Sequence, residues 1–204
     1  PQVEAFGEFF NPKAGPIGLG LPKHLLIPFS EEAKARGVRI EPNYEDLNAY
    51  APIDPVNAVD IALAASRQQG CDLAILKLTP GHLETRWIVE LAQRFQPVGA
   101  ILHRSPIDQY ISLQKAFQVK TWLETDTTNL KPVISARAFR EWRWRQQHHL
   151  QMGRHIFERE GLQYFTLSYE ELYEREDDPV QVLKNRFETV GIALGEADST
   201  AKDL

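Results

Sequence analysis

Apolar positions along this chain switch between short continuous runs, which suit buried strands, and a three-to-four-residue spacing, which suits helices. Val3 to Phe6 reads as a short strand, with Gly7 to Pro12 as a turn after it. Lys13 to Pro28 has repeated Gly and Pro without periodicity and reads as an ordered loop. Ser30 to Ala35 is a short predicted helix stopped by Gly37, and the residues from there to Pro55 read again as loop. From Val56 to Gln69 the apolar spacing is helical and Gly70 ends it. Asp72 to Leu78 is a strand, and Leu83 to Gln96 an amphipathic helix with Ile88, Leu91, Ala92 and Phe95 on one face. Val98 to Leu102 is a second buried run. Ser105-Pro106-Ile107-Asp108 then forms a capping-box pattern that opens a helix, with proline in its first position. After the break at Lys131-Pro132, Ser135 opens a long helix to about Glu160, closed by Gly161. Leu162 to Ser168 is a strand, and Pro179 to Val190 a final helix closed by Gly191.

Strands and helices thus alternate, which predicts an α/β fold: a three-layer parallel sheet with helices on both faces. Right-handed crossovers would bring the strand ends carrying Lys77 and Arg104 to one edge of that sheet. A chain of 204 residues fits a single domain over 1–204.

Composition narrows the class. At 43% hydrophobic and 25% charged residues the sequence is ordinary for a globular protein. It has no apolar run near the roughly 18 residues of a membrane span. A formal charge of −5 speaks against a nucleic-acid binder, while leaving room for a local basic site. Cys71 is the only cysteine, so no internal disulfide forms, in keeping with a reducing, cytoplasmic location. His148, His149 and His155 lack the i, i+4 pairing of a helical metal site, and no metal is expected.

The chemistry centres on Arg104. An arginine that ends a strand and precedes a helix start sits where α/β folds bind anions, beside the exposed N–H groups of the helix. The residues alone do not name the anion. Lys77 and His82, in KLTPGH directly after a strand, are candidates to stabilise developing charge and to accept a proton. Glu8 lies between Phe6, Phe9 and Phe10, where partial desolvation would raise its pKa and make it a better base. The helix from Ser135 carries six arginines. Its apolar residues Phe139, Trp142, Leu150, Ile156 and Phe157 share one face, so the arginines read as a solvated basic face with Trp144 off the apolar stripe.

Arg104, Pro106, Asp108 and Ser112 together resemble the 3'-phosphate motif of sulfotransferases that use 3'-phosphoadenosine-5'-phosphosulfate (PAPS). The resemblance implies that Arg104 and Ser112 hold the 3'-phosphate of PAPS, which serves as co-substrate on a P-loop NTPase-like sulfotransferase fold. AFGEFFNP, at Ala5 to Pro12, resembles the segment after the first helix in bacterial carbohydrate sulfotransferases, including the trehalose and nodulation groups. That likeness implies Glu8 as catalytic base. Tyr169-Glu170-Glu171-Leu172 is similar to a segment near the C-terminal part of the same family.

The implied acceptor is a hydroxyl of a carbohydrate or small metabolite, with no nucleic acid or membrane as partner and a homodimer left open. The Ser/Thr/Gly-rich loop that binds the 5'-phosphosulfate in this family is missing from the sequence. Because PQVEAFGE matches the family's segment just after that loop and its helix, the loop is expected upstream of Pro1, or else it is lost. Two other classes fit the same alternation: a P-loop kinase requiring ATP and magnesium, and a non-catalytic binding module.

Overall fold

In the computed structural model, Val3–Ala5 forms strand β1 and Leu73–Ile75 forms β2, and the two pair in parallel with Val3 opposite Leu73 and Ala5 opposite Ile75. A parallel pair needs a long connection. Here it includes a 3₁₀ turn at Lys23–Leu25 and three helices: α1 (Leu26–Ala35), α2 (Tyr44–Tyr50) and α3 (Pro55–Gln68). Helix α4 (Thr85–Phe95) follows β2. The structure describes residues 3–6, 9–10, 20–79, 81–120, 126–173 and 178–193.

The described residues up to Gln96 make one unit and those from Pro97 onward a second. In the first, Phe6, Phe9, Phe10 and Phe29 are buried together, and the Phe9 and Phe10 rings meet edge to face at 5.1 Å. Helix α3 turns Ala58, Ala62 and Ala65 inward, and these small side chains let α1 pack closely against it. Arg36, at the end of α1, ties the two helices at the surface through Glu32 at 2.7 Å and Asp60 at 2.8 Å.

In the second unit, β3 (Gly99–His103) pairs in parallel with β4 (Tyr164–Ser168), Gly99 opposite Tyr164 and His103 opposite Ser168. The chain between them holds α5 (Pro106–Val119) and the long α6 (Ala136–Arg159). Two further helices, α7 (Tyr169–Tyr173) and α8 (Pro179–Glu188), follow β4. Phe165, Leu167 and Leu172 form the core here, with Phe187 of α8 meeting Phe165 edge to face at 5.2 Å. Tyr110 of α5 packs against Phe139 and Trp142 of α6 with ring centres 5.4 and 5.2 Å apart.

Among the described residues the α/β class with parallel strand pairing is therefore observed, as two two-stranded parallel pairs with helices around them. Several boundaries differ from expectation. The predicted loop between Gly37 and Pro55 contains α2, whose N-cap Asn43 accepts from the Asp46 N–H at 2.8 Å. Helix α1 begins at Leu26, earlier than the predicted Ser30, and tolerates Pro28 because its first turn has no intrahelical N–H bond to lose. The strand expected over Asp72 to Leu78 shortens to Leu73–Ile75, since β1, its partner, is itself only three residues long. Among the described residues no helix is long and apolar enough to cross a membrane.

Candidate functional site

Arg104 directly follows β3 and is half-buried. Its surroundings follow from strand register. Because Ser168 lies opposite His103, the next residues of the two strands, Arg104 and Tyr169, come side by side. The Arg104 guanidinium carbon lies 4.2 Å from the centre of the Tyr169 ring, a cation–π contact. One residue further, the Ser105 N–H donates to the Glu170 carboxylate at 2.9 Å.

This last bond corrects the expected capping box. Ser105 is the N-cap of α5 and Pro106 its first residue, but the Ser105 hydroxyl caps nothing. The helix start is served by Glu170, from the neighbouring strand end. The reciprocal box lies instead at Ser168 to Glu171. There the Glu171 N–H donates to the Ser168 hydroxyl at 3.0 Å, and the Ser168 N–H donates to the Glu171 carboxylate at 2.8 Å. Glu171 also accepts from Arg186 of α8 at 2.9 Å. The Ser105 N–H, helped by the charges of His103 and Arg104, holds the Glu170 carboxyl below the usual range. The Ser168 N–H, with Arg186 adding to it, does the same for Glu171.

Beside Arg104 opens a cavity of about 220 Å³. One wall comes from β3 and the start of α5, through His103, Arg104 and Gln109. The other comes from α6, whose Arg143, Gln146, Gln147 and Leu150 recur at the spacing of a single helix face. Tyr169 completes it. Among the described residues no carboxylate lines the cavity, and neither Arg104 nor Arg143 is in an ion pair. Two guanidiniums, an imidazole and several amides therefore face one small space, a donor set suited to an anion with several oxygens.

The predicted residues are distributed unevenly around this geometry. Ser112 is exposed on α5, one turn beyond Gln109, and does not line the cavity. Lys77 and His82 belong to the first unit, on the stretch that follows β2. Lys77 is exposed. His82 is held in its own turn, with its Nε2 2.6 Å from the Thr79 hydroxyl and its Nδ1 accepting the Thr79 N–H at 3.4 Å. Glu8 lies outside the described residues, although Phe6, Phe9 and Phe10 around it in sequence are all buried.

Sequence reasoning passed over Arg143, whose partner face is set by tertiary packing. For Tyr169-Glu170-Glu171-Leu172 it gave only a family likeness, although Ser-x-x-Glu at Ser168 to Glu171 was a usable helix-start signal. A second missed group is Glu4 of β1, which accepts from His24 at 3.1 Å and from the buried Cys71 thiol at 3.7 Å. Burial, with the Glu4 charge adding to it, pushes that thiol pKa up. Among the described residues no group of three His, Cys, Asp or Glu side chains could hold a metal ion.

No family model, curated protein or solved structure matches this chain.

Proposed function

We propose that this chain belongs to a PAPS-dependent sulfotransferase that transfers a sulfuryl group to a hydroxyl of a carbohydrate or small metabolite. The observation that carries the proposal is the cavity at the end of β3, where Arg104 stands beside the α5 start, faces Arg143 and meets no carboxylate among the described lining residues. A phosphate group supplies the charge and the acceptor oxygens that this donor set lacks. The motif resemblance names the phosphate as the 3'-phosphate of PAPS. The fold implied by this reading is of P-loop NTPase-like type, a class in which parallel strands are flanked by helices.

In the reaction, the acceptor oxygen forms a bond to sulfur as the bond from sulfur to the 5'-phosphate oxygen breaks. The hydroxyl proton passes to the Glu8 carboxylate, and adenosine 3',5'-bisphosphate leaves. Lys77 stabilises the charge that grows on the bridging oxygen. Arg104 holds the 3'-phosphate; Ser112, which the motif resemblance assigns to the same group, lies on α5 outside the cavity lining. Glu8 is preferred to His82 as base because both ring nitrogens of His82 already meet Thr79.

Steady-state kinetics with PAPS and a panel of sugar acceptors tests the assignment. Arg104→Ala raises the donor KM strongly, and Glu8→Gln lowers kcat with donor binding retained. Turnover that instead requires ATP and magnesium would assign the chain to phosphoryl transfer.

A further inference from the structure

The two arginines of the cavity differ in how they are held. Arg104 is half-buried and lies over the Tyr169 ring, so its direction is fixed before any ligand arrives. Arg143 is exposed on α6, has no ion-pair partner among the described residues, and reaches the same space from the opposite wall. The Glu170 carboxylate, whose charge senses Arg104, accepts the Ser105 N–H and is matched there to the positive end of α5. Glu170 is not part of the cavity lining, so the two guanidinium charges are left to the ligand.

We infer that Arg143 is a second anion-binding residue of this site, and that together with Arg104 it makes the cavity selective for a doubly charged phosphate monoester over a singly charged ester of the same shape. The inference rests on the phosphate reading of the cavity, but not on the identity of the nucleotide. A phosphate monoester has its second ionisation near pH 6, so above that pH it brings two charges and three acceptor oxygens. Two planar guanidiniums on opposite walls can each engage two of those oxygens. A sulfate monoester offers similar oxygens but only one charge, and so leaves one guanidinium uncompensated. The site thereby favours a terminal phosphate over a sulfate ester such as the reaction's own product.

Phenyl phosphate and phenyl sulfate, matched in shape and differing in charge at pH 8, test this by calorimetric titration into the full chain. The wild-type chain binds the phosphate about tenfold or more tightly than the sulfate, the size expected for an added charge-assisted pair. Arg143→Gln brings the two affinities within about threefold, mainly by weakening the phosphate, with an unchanged circular dichroism spectrum. Arg143→Lys, which keeps charge but loses the fork, falls between them. A wild-type chain that binds the two esters equally or binds neither, or an Arg143→Gln chain that keeps the full preference, overturns the inference. The nucleotide reading is decided separately by adenosine 3',5'-bisphosphate against adenosine 5'-monophosphate. Equal affinities there remove the nucleotide, while the phenyl esters still decide the role of Arg143.

Discussion

The guanidinium carbon of Arg104 lies 4.2 Å from the centre of the Tyr169 ring, and strand register causes it. Two residues far apart in sequence become neighbours because each is the first residue past its strand in a parallel pair. The ring holds Arg104 in place without neutralising it, which a carboxylate would do. That distinction is what leaves the arginine available to an anion.

Removing the ring should therefore loosen Arg104. Tyr169→Leu is expected to weaken binding of adenosine 3',5'-bisphosphate about two- to fivefold, from a contact worth roughly 0.5–1 kcal/mol at an accessible site. Tyr169→Phe keeps the aromatic face and should stay close to wild type. Titration of both variants distinguishes the ring from the hydroxyl.

Glu170 gives the helix cap a pH dependence. Its folded pKa lies below the ordinary value near 4.3, so its stabilising contribution is complete above that value and is lost as the pH falls through the lower folded pKa. Glu170→Gln should lower the Tm at about pH 7 and lower it much less near pH 2. Glu171→Gln should behave alike, since the Ser168 N–H and Arg186 favour its charged form. Thermal melts at both pH values check this, and an equal loss at each would show that the carboxylate charge is not what caps the helix.

Gly99 is a packing requirement of β3. A Cβ at that position would sit 2.6 Å from the Phe157 ring of α6. Gly99→Ala is expected to cost about 1–3 kcal/mol by overpacking, and Phe157→Leu in the same chain should return part of it. Denaturant unfolding of the single and double variants measures the coupling.

Cys71 should be a slow nucleophile. Its thiol is buried, and both burial and the Glu4 carboxylate raise its pKa. Alkylation by iodoacetamide at about pH 8 should be far slower than in the unfolded chain, and Glu4→Gln should speed it by removing the adjacent negative charge. Rates followed by mass spectrometry test both statements.

The sequence carried the elements whose signals are local. The long helix after Ser135 was legible because its cap, its apolar stripe and its glycine stop all agree, and the observed α6 runs Ala136–Arg159 with the Ser135 hydroxyl accepting from the Ala138 N–H. The strand leading to Arg104 was legible from its apolar run. Helix α2 was not, because only Leu47 among its seven residues is buried and no apolar period develops. The candidate site was legible only in part. Arg104 announced itself by its place between strand and helix. Arg143 did not, because it is one of several arginines on α6 and only the packing of that helix against β3 separates it from the rest. The Ser105 capping box misled because Glu170, remote in sequence, reaches the same N–H.

The central claim is that Arg104 recognises a 3'-phosphate. Its most direct test is calorimetric titration of the chain with adenosine 3',5'-bisphosphate and, in parallel, adenosine 5'-monophosphate, each repeated on Arg104→Ala. The bisphosphate is expected to bind clearly more tightly, and Arg104→Ala to abolish the difference. Equal affinity for the two nucleotides, or a difference that survives in Arg104→Ala, would contradict the claim.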